Sequence, residues 1–298
     1  MALVESASAA RSSVGGALGI ARPLSRATHR LIINADDFGA SREVNAAVIR
    51  AHAEGVLTTA SLMVNEEGFE EAVELARSHP GLGVGLHLSL VCDRSALTRD
   101  EIPNLVDARQ RFPECPVSAG MRFFFDPRCR KQVEREVAAQ FEKFQATGLT
   151  LDHVNGHLHF HLHPVVFSIV MRNAQRWNVR HVRVTRDPFW VNARLASGRW
   201  GYRISHATIF TLLSLRARRA LARARVRCTG RVYGLLQHGR VDESFVLGLL
   251  ERLPAGDSEL YSHPSLTQFR HELDALLSGK VKATIAARGI ELIRYQDL

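Results

Sequence analysis

The chain has 298 residues, 46% of them hydrophobic, and a net charge of +9. That length supports one large core or two modest ones, and that apolar content excludes wholesale disorder. Four cysteines without a C-x-x-C pair exclude a disulfide framework and a thiolate zinc site, and they point to a reducing cytoplasm.

Residues 1–28 are rich in Ala, Ser, Gly and Arg and lack the apolar run of a secretory signal, so they read as a loose tail before a single domain over 29–298. Residues 30–35 read as a buried strand on Leu31, Ile32 and Ile33, stopping at Asp36-Asp37-Phe38-Gly39, where Gly39 permits a sharp turn. Ser41 is an N-cap candidate for a helix with Val44, Ala47, Val48 and Ala51 on one face, closed by Gly55. A strand over 59–64, a helix over 66–77 and a strand over 83–88 that contains His87 repeat the alternation. Residues 92–126 lose periodicity and read as an irregular insertion. A long amphipathic helix is then predicted over 127–147 and a strand over 150–155, followed by a helix over 164–177 and a strand over 181–184. Residues 187–227 read as a second irregular insertion. Strands at 231–236 and 258–262, a helix at 281–288 and a strand at 290–294 close the chain. Mostly apolar strands alternating with helices predict a parallel sheet clothed by helices; a count of eight fits a closed or nearly closed barrel, with an open doubly wound sheet as the alternative.

In such a barrel the chemistry gathers at the carboxyl ends of the strands. Asp36-Asp37, His87, His157 and His263 all map there. Adjacent residues of a regular strand face opposite ways, so the two aspartates share a site only where the chain turns, and Phe38-Gly39 is the expected turn. Two carboxylates so close repel unless a cation stands between them. One carboxylate and two imidazoles with a vacant position describe an open, catalytic metal site, and nitrogen-rich ligation favours zinc over magnesium. The plain alternatives are a solvated Asp-Asp turn, a core histidine at 87, and an adventitious metal-binding tract in the run His153, His157, His159, His161 and His163. That run places four histidines at alternate positions from 157 to 163, which would line one side of extended chain, and burying several imidazoles without purpose is costly.

Asn34-Ala35-Asp36-Asp37-Phe38-Gly39, Val44-Asn45-Ala46-Ala47-Val48, Leu62-Met63-Val64, Val84-Gly85-Leu86-His87-Leu88, Asn155-Gly156-His157 and Tyr261-Ser262-His263-Pro264 together resemble the YdjC-like carbohydrate deacetylases. Within them the chain is similar to the hopanoid-biosynthesis-associated HpnK branch. The resemblance covers about residues 30–298, least in the two insertions. It implies a deformed (β/α) barrel of the polysaccharide-deacetylase-like type, one divalent metal ion, either zinc or magnesium, and hydrolysis of an N-acetyl group on an amino-sugar. Carried over by position, Asp37, His87 and His157 look like the ligands, Asp36 the general base and His263 the general acid. Apart from that carry-over, His159 and His161 of the histidine run are candidate substrate contacts. Many relatives carry Asp-Ser where this chain has Asn155-Gly156, so a carboxylate behind His157 is expected to be missing and another acceptor to orient it. The branch implies an N-acetylglucosaminyl hopanoid as substrate, with soluble chitobiose as the alternative. A barrel phosphoesterase shares a histidine-rich rim but ordinarily holds two or three ions.

Seven arginines lie between Tyr202 and Arg227 in a stretch without an acid, and without them the net charge would be +2. Ile204, Ile209, Phe210, Leu212, Leu213 and Leu215 precede most of them, an apolar patch with a basic flank that suits anionic headgroups at the inner face of a membrane. A helix packed on the barrel with a solvated basic side is the plain alternative. The apolar run 207–215 is far too short to span a bilayer. No nucleic-acid motif or aromatic interleaving accompanies the arginines, so nucleic acid is not an expected partner. Trp190 and Trp200 are candidate platforms for sugar or lipid, because indole offers a broad apolar face with one donor. The sequence sets no oligomeric state.

Overall fold

The computed structural model describes residues 28–298, and the tail expected over 1–28 lies, but for Thr28, outside the described residues. The element order is β1 (His29–Phe38), α1 (Arg42–Ala53), β2 (Thr59–Leu62), α2 (Phe69–Ser78), β3 (Gly83–Leu88), α3 (Pro116–Phe125), α4 (Pro127–Ala146), β4 (Val154–Gly156), α5 (Pro164–Arg172), α6 (Phe189–Leu195), α7 (Trp200–Ala224), β5 (Arg231–Tyr233), α8 (Glu243–Glu251), β6 (Gly256–Ser262), α9 (Arg270–Leu277), α10 (Gly279–Ala287) and β7 (Ile290–Leu292). The strands form one sheet in the order β4-β3-β2-β1-β6-β5, every pair parallel. The long β1 is its spine. β2 pairs with β1 from Asn34 onward, and β7 pairs with it at residues 29–31. Leu31 and Ile33 bury into the main core while Ile32 packs on Ile293 and Tyr295, so both faces of β1 are covered and its sequence is apolar without alternation.

Residues 181–186 stitch the two sheet edges into a curled barrel. On one side Val154 N–H donates to the His181 carbonyl and Arg183 N–H to the Val154 carbonyl, both at 3.0 Å; on the other, Val232 N–H donates to the Arg186 carbonyl at 3.1 Å. The strand expected at 181–184 is thus extended chain held by isolated bridges, and the regular strands number seven among the described residues instead of eight. Arg183 in this segment is fully buried.

The two insertions are more ordered than their sequences suggest. Residues 92–126 contain α3, and residues 187–227 contain α6 and the 25-residue α7. α7 escapes a periodicity reading because it buries only a narrow seam, Arg203, Ser214, Ala217 and Leu221, so no broad apolar stripe marks it. The helix expected over 164–177 stops at Arg172, and Trp177 turns inward to stack on Phe141 of α4 at 4.1 Å.

Asp187 ties this second insertion to the sheet. Its Oδ2 accepts N–H from Gly234 and Leu236 at 3.2 and 3.0 Å, and its Oδ1 accepts from the Asn192 amide. Burial outweighs those bonds and pushes the carboxyl up to about 7. A raised folded-state pKa gives stability that is present below the unfolded value near 4 and is lost as pH climbs through 7, on the order of 4 kcal/mol in all. Asp187→Asn keeps an oxygen for both N–H groups and, after Asn192 turns over, a donor for its buried Oδ1, which has no hydrogen-bond partner. Urea midpoints measured from pH 4 to pH 8 should therefore fall with pH in the wild-type chain, and the fall should be much reduced in Asp187→Asn; equal slopes would remove Asp187 as the titrating group.

Candidate metal centre

The acid pair sits at a break in the sheet. β1 does not stop before Asp36-Asp37 but runs on to Phe38, and the β1–β2 register shifts between Ala35 and Phe38. Asp37 itself takes a left-handed conformation, φ +63°, so the turn expected at Phe38-Gly39 already begins one residue earlier. Aspartate tolerates that region better than most residues, and left-handed backbone at a non-glycine position concentrates at functional sites. Gly39 continues the turn at φ +92°, where a Cβ would stand 2.8 Å from the Met63 carbonyl oxygen. The bulge aims Asp36 inward and Asp37 toward the rim.

Asp37, His87 from β3 and His157 after β4 converge. Asp37 Oδ1 lies 3.3 Å from His87 Nε2 and 3.3 Å from His157 Nδ1, and one ligand atom from each residue falls within 4.8 Å of the others. Bond lengths of about 2.1 Å place donor atoms about 3.4 Å apart around a tetrahedral ion, so these residues fit a first-row divalent cation. His87 is buried, whereas Asp37 and His157 keep about a fifth of their side-chain surface, which leaves the site open on one side. Burial alone would push His157 down; hydrogen bonds to Asp37 and Cys92 and the charges of Asp37 and Asp93 overcome it and hold the imidazole up at about 11. Asp37 is held well below the usual carboxylate range by the same histidines, against the effect of burial. A cation satisfies both the carboxylate and the lone pairs that otherwise share protons.

Asp36 lies beneath this cluster, buried, and its partner was not foreseen. Arg183 grips it in bidentate fashion, at 2.7 Å to Oδ2 and 2.9 Å to Oδ1, and reaches Glu259 Oε1 at 2.8 Å through Nε. Asn34 and Asn155 also donate to Asp36 Oδ1, at 2.8 and 3.1 Å. Burial would raise its pKa, but the Arg183 charge, aided by His87, holds the carboxyl far below its ordinary value. The one signal in the sequence was a charged residue inside the apolar run His181-Val182-Arg183-Val184.

The histidine run does not form the extended row its alternation suggests. Residues His157–Leu162 are tight 3-10 turns broken where Leu158 (φ +47°) and His159 (φ +58°) turn left-handed. His157 faces the site. His159 is buried with Nε2 2.9 Å from the Tyr261 hydroxyl, and burial with the Arg183 charge keeps it neutral. His161 lies in the core against the Arg183 carbonyl at 3.0 Å, pushed down to about 3 by burial, and so faces away from solvent. His163 caps α5. His263 follows β6, on the side of β1 opposite β3 and β4. Its backbone N–H donates to Glu272 at 2.6 Å, its Nδ1 has no hydrogen-bond partner, and its ring meets His238 edge-on at 4.8 Å. His238, unmarked in the sequence, is pushed down to about 4 by burial and by its neighbour His263. Asp93 was also missed; its Oδ2 stands 3.8 Å from His157 Nδ1, near the place where a carboxylate was expected to be lacking. Trp190 and Trp200 stand exposed on α6 and at the start of α7.

A family model described as YdjC-like protein matches residues 30–287. The chain is similar to a carbohydrate deacetylase of Brevibacillus brevis, 45% identical over 50% of this chain and 57% of that one. A carbohydrate deacetylase of Geobacillus stearothermophilus is 41% identical over 52% of this chain and 60% of that one. The chain thus spans under two thirds of the length of these curated relatives. A chitooligosaccharide deacetylase of Salmonella paratyphi B is 28% identical over 90% of this chain and 98% of that one. A solved structure from Enterococcus faecalis, described provisionally as a cellobiose-phosphate cleavage protein, has a TM-score of 0.68 at 25% identity and covers 91% of this chain and 98% of that one.

Removing one partner from a buried ion pair leaves the other charge unanswered, which typically costs about 3–5 kcal/mol. Arg183→Met strands both Asp36 and Glu259 and should lower the urea midpoint by a corresponding amount at pH 7. A midpoint within experimental error of wild type would show that neither carboxylate depends on this cation.

Proposed function

Since the chain belongs to the YdjC-like protein family, and since Asp37, His87 and His157 meet at ligand spacing beside a buried Asp36, we propose that it is a metal-dependent hydrolase that removes the acetyl group from an N-acetylated amino-sugar. The convergence of those three side chains is the observation that carries the reading. A divalent ion held by them, zinc by the donor set or else magnesium, supplies Lewis acidity that polarises an amide carbonyl and acidifies a water.

The remaining work belongs to the chain. Asp36 is the general base, and Arg183 keeps it ionised at every working pH. The same grip makes it a weak base, one suited to a water that a cation held by Asp37, His87 and His157 would acidify. An amide nitrogen leaves readily only once protonated. His263 is the acid for that step, placed across β1 from the ligands, with its backbone fixed by Glu272, its Nδ1 3.9 Å from the same carboxylate and its ring edge-on to His238. His159 and His161 serve substrate only indirectly, through Tyr261 and the turn they brace.

Within that reaction class our reading of the substrate is an N-acetylglucosaminyl hopanoid of the HpnK branch, cleaved to glucosaminyl hopanoid and acetate. What supports a lipid-borne sugar is where apolar surface remains. Among the described residues, the exposed large hydrophobic side chains all fall in α3 (Val117, Met121, Phe124, Phe125), at Leu158 beside His157, and on α6 and α7 (Trp190, Trp200, Ile204, Ile209, Leu212, Leu215). Arg216, Arg219 and Arg223 continue the outer face of α7. Such a surface suits peripheral contact with anionic lipid, and no helix among the described residues is long and apolar enough to cross a membrane. A soluble chitooligosaccharide is the second reading, favoured by the name of the Salmonella relative.

Two experiments separate these readings. The purified chain, offered N-acetylglucosaminyl hopanoid and chitobiose in parallel, should bind one metal ion per chain and release acetate, with the deacetylated product seen by mass spectrometry. Asp36→Asn and His263→Ala should keep the metal and lose about 10²–10⁴-fold in turnover; full turnover in Asp36→Asn would end its assignment as base. Sedimentation with anionic vesicles tests the lipid surface. Deleting α7 would open the core, so Arg216, Arg219 and Arg223 are changed together to Glu, and equal pelleting of wild type and triple variant would sink the membrane role.

A further inference from the structure

Behind the cluster lies a chain of buried polar groups in which each donor and acceptor role follows from the last. Asp152 accepts N–H from Gln296 at Oδ1, 3.1 Å, and its Oδ2 lies 3.0 Å from His153 Nδ1. A carboxylate there only accepts, so His153 Nδ1 carries the proton. His153 Nε2 lies 2.9 Å from Ser61 Oγ. Ser61 Oγ already accepts from Asn34 Nδ2 at 3.0 Å and from Asn155 Nδ2 at 2.7 Å, which fills both of its lone pairs. The hydroxyl must therefore donate to His153. The Asp36 carboxylate, held by Arg183, can only accept, which independently fixes Asn155 Nδ2 as the end that faces Asp36 and Ser61 and leaves Asn155 Oδ1 to accept from His87 Nδ1 at 2.8 Å. Ser61, His153, Asn155 and Asn34 have no exposed surface, so water does not offer a competing arrangement.

We infer that Asn155 is a positioning residue that keeps the proton of His87 on Nδ1, so that Nε2 is the nitrogen left for an ion held together with Asp37. The chain Asp152, His153 and Ser61 in turn holds the Asn155 amide in the orientation that does so. The amide is suited to this place in a way a carboxylate is not, because it accepts from His87 while donating to Asp36 and Ser61. A carboxylate would set a second negative charge about 3.1 Å from Asp36 Oδ1. The Asn-Gly pair at 155–156 therefore carries its consequence at His87 and Asp36 rather than at His157. His153 reaches Ser61 only because Gly85 of β3 presents bare backbone; a Cβ there would lie 2.5 Å from the imidazole. Its ring also stacks on Tyr295 at 4.5 Å.

The proton on Nδ1 does not depend on a bound ion, whereas its consequence for affinity rests on the ligand reading above. In the full-length chain labelled with 15N-histidine, two-bond nitrogen–proton correlations should show His87 Nδ1 protonated without metal, and a single Nδ1–H tautomer once zinc displaces any proton that Nε2 shares with Asp37. Asn155→Ala should give a mixture and bind zinc about 10–100-fold more weakly in a chelator-competition titration. Asn155→Asp keeps an acceptor for His87, so it should retain the tautomer and a zinc affinity within a few-fold of wild type, yet lose about tenfold or more in turnover. A folded Asn155→Ala with the wild-type tautomer and affinity would overturn the inference. Should Asn155→Ala fail to fold, the near-isosteric Asn155→Asp decides, since full turnover with unchanged tautomer would overturn the role of the amide. A protonated His87 Nδ1 in a wild-type chain that binds no zinc would instead sink the metal reading and leave this one standing.

Discussion

A carboxylate buried in the middle of a parallel sheet remains ionised only if a fixed cation answers it, and the rim of this barrel is organised around that requirement. Arg183 meets both oxygens of Asp36, reaches Glu259 with the rest of its guanidinium, and lies 4.4 Å over the Tyr261 ring. The planar, always charged guanidinium suits this double pairing where an ammonium would not. Because Arg183 comes from the bridging segment, Asp36 from the spine and Glu259 from β6, one cation ties the segment held only by isolated bridges to the long β1–β6 ladder. The closure of the curl and the charge state of Asp36 are the same interaction seen from two sides.

The break in β1 supplies the other half of the arrangement. A continuous strand would turn Asp36 and Asp37 to opposite faces, one into the barrel and one into the helical layer. The left-handed Asp37 cancels that alternation and places the first acid deep beside a guanidinium and the second near solvent beside two imidazoles. Adjacent residues of one type thus come to differ in burial, partners and chemistry. A fixed arginine answers one, and histidines with room for an exchangeable cation answer the other. That division suits a reaction in which a proton acceptor must stay ionised while a neighbouring site binds and releases ligands.

The polar network behind His87 extends this logic inward. Buried hydrogen-bonding groups are costly unless all are satisfied, and here satisfaction also has a direction, running from Asp152 through His153, Ser61 and Asn155 to the imidazole at the rim. Asn34 closes the loop by donating to both Ser61 and Asp36 while accepting from Thr59. The outer surface follows another rule, since among the described residues the large apolar side chains left uncovered collect on α3, α6, α7 and Leu158 and not at random.

Local pattern alone was enough to locate most strands, the long helix α4 and the strand ends that carry Asp36-Asp37, His87 and His157, whereas the choice of Asp37, His87 and His157 as ligands came from the resemblance to the YdjC-like family. Those signals are local, since apolar runs and polar residues at strand ends follow from burial and turn chemistry within a few residues. The roles of Arg183, Asn155, Asp93 and His238 were hidden by the same standard, because each depends on groups far away in the chain; Arg183 meets Asp36 across 147 positions. The helical order of 187–227 was hidden because α7 buries only a seam against neighbours that the sequence does not name. The histidine row was misread because alternation implies extended chain, whereas packing around Tyr261 and the Arg183 carbonyl drives two residues into left-handed turns. Only the folded chain could decide which imidazole faces the rim and which faces the core, because that choice depends on partners brought together by the curl of the sheet and not on the order of residues along it.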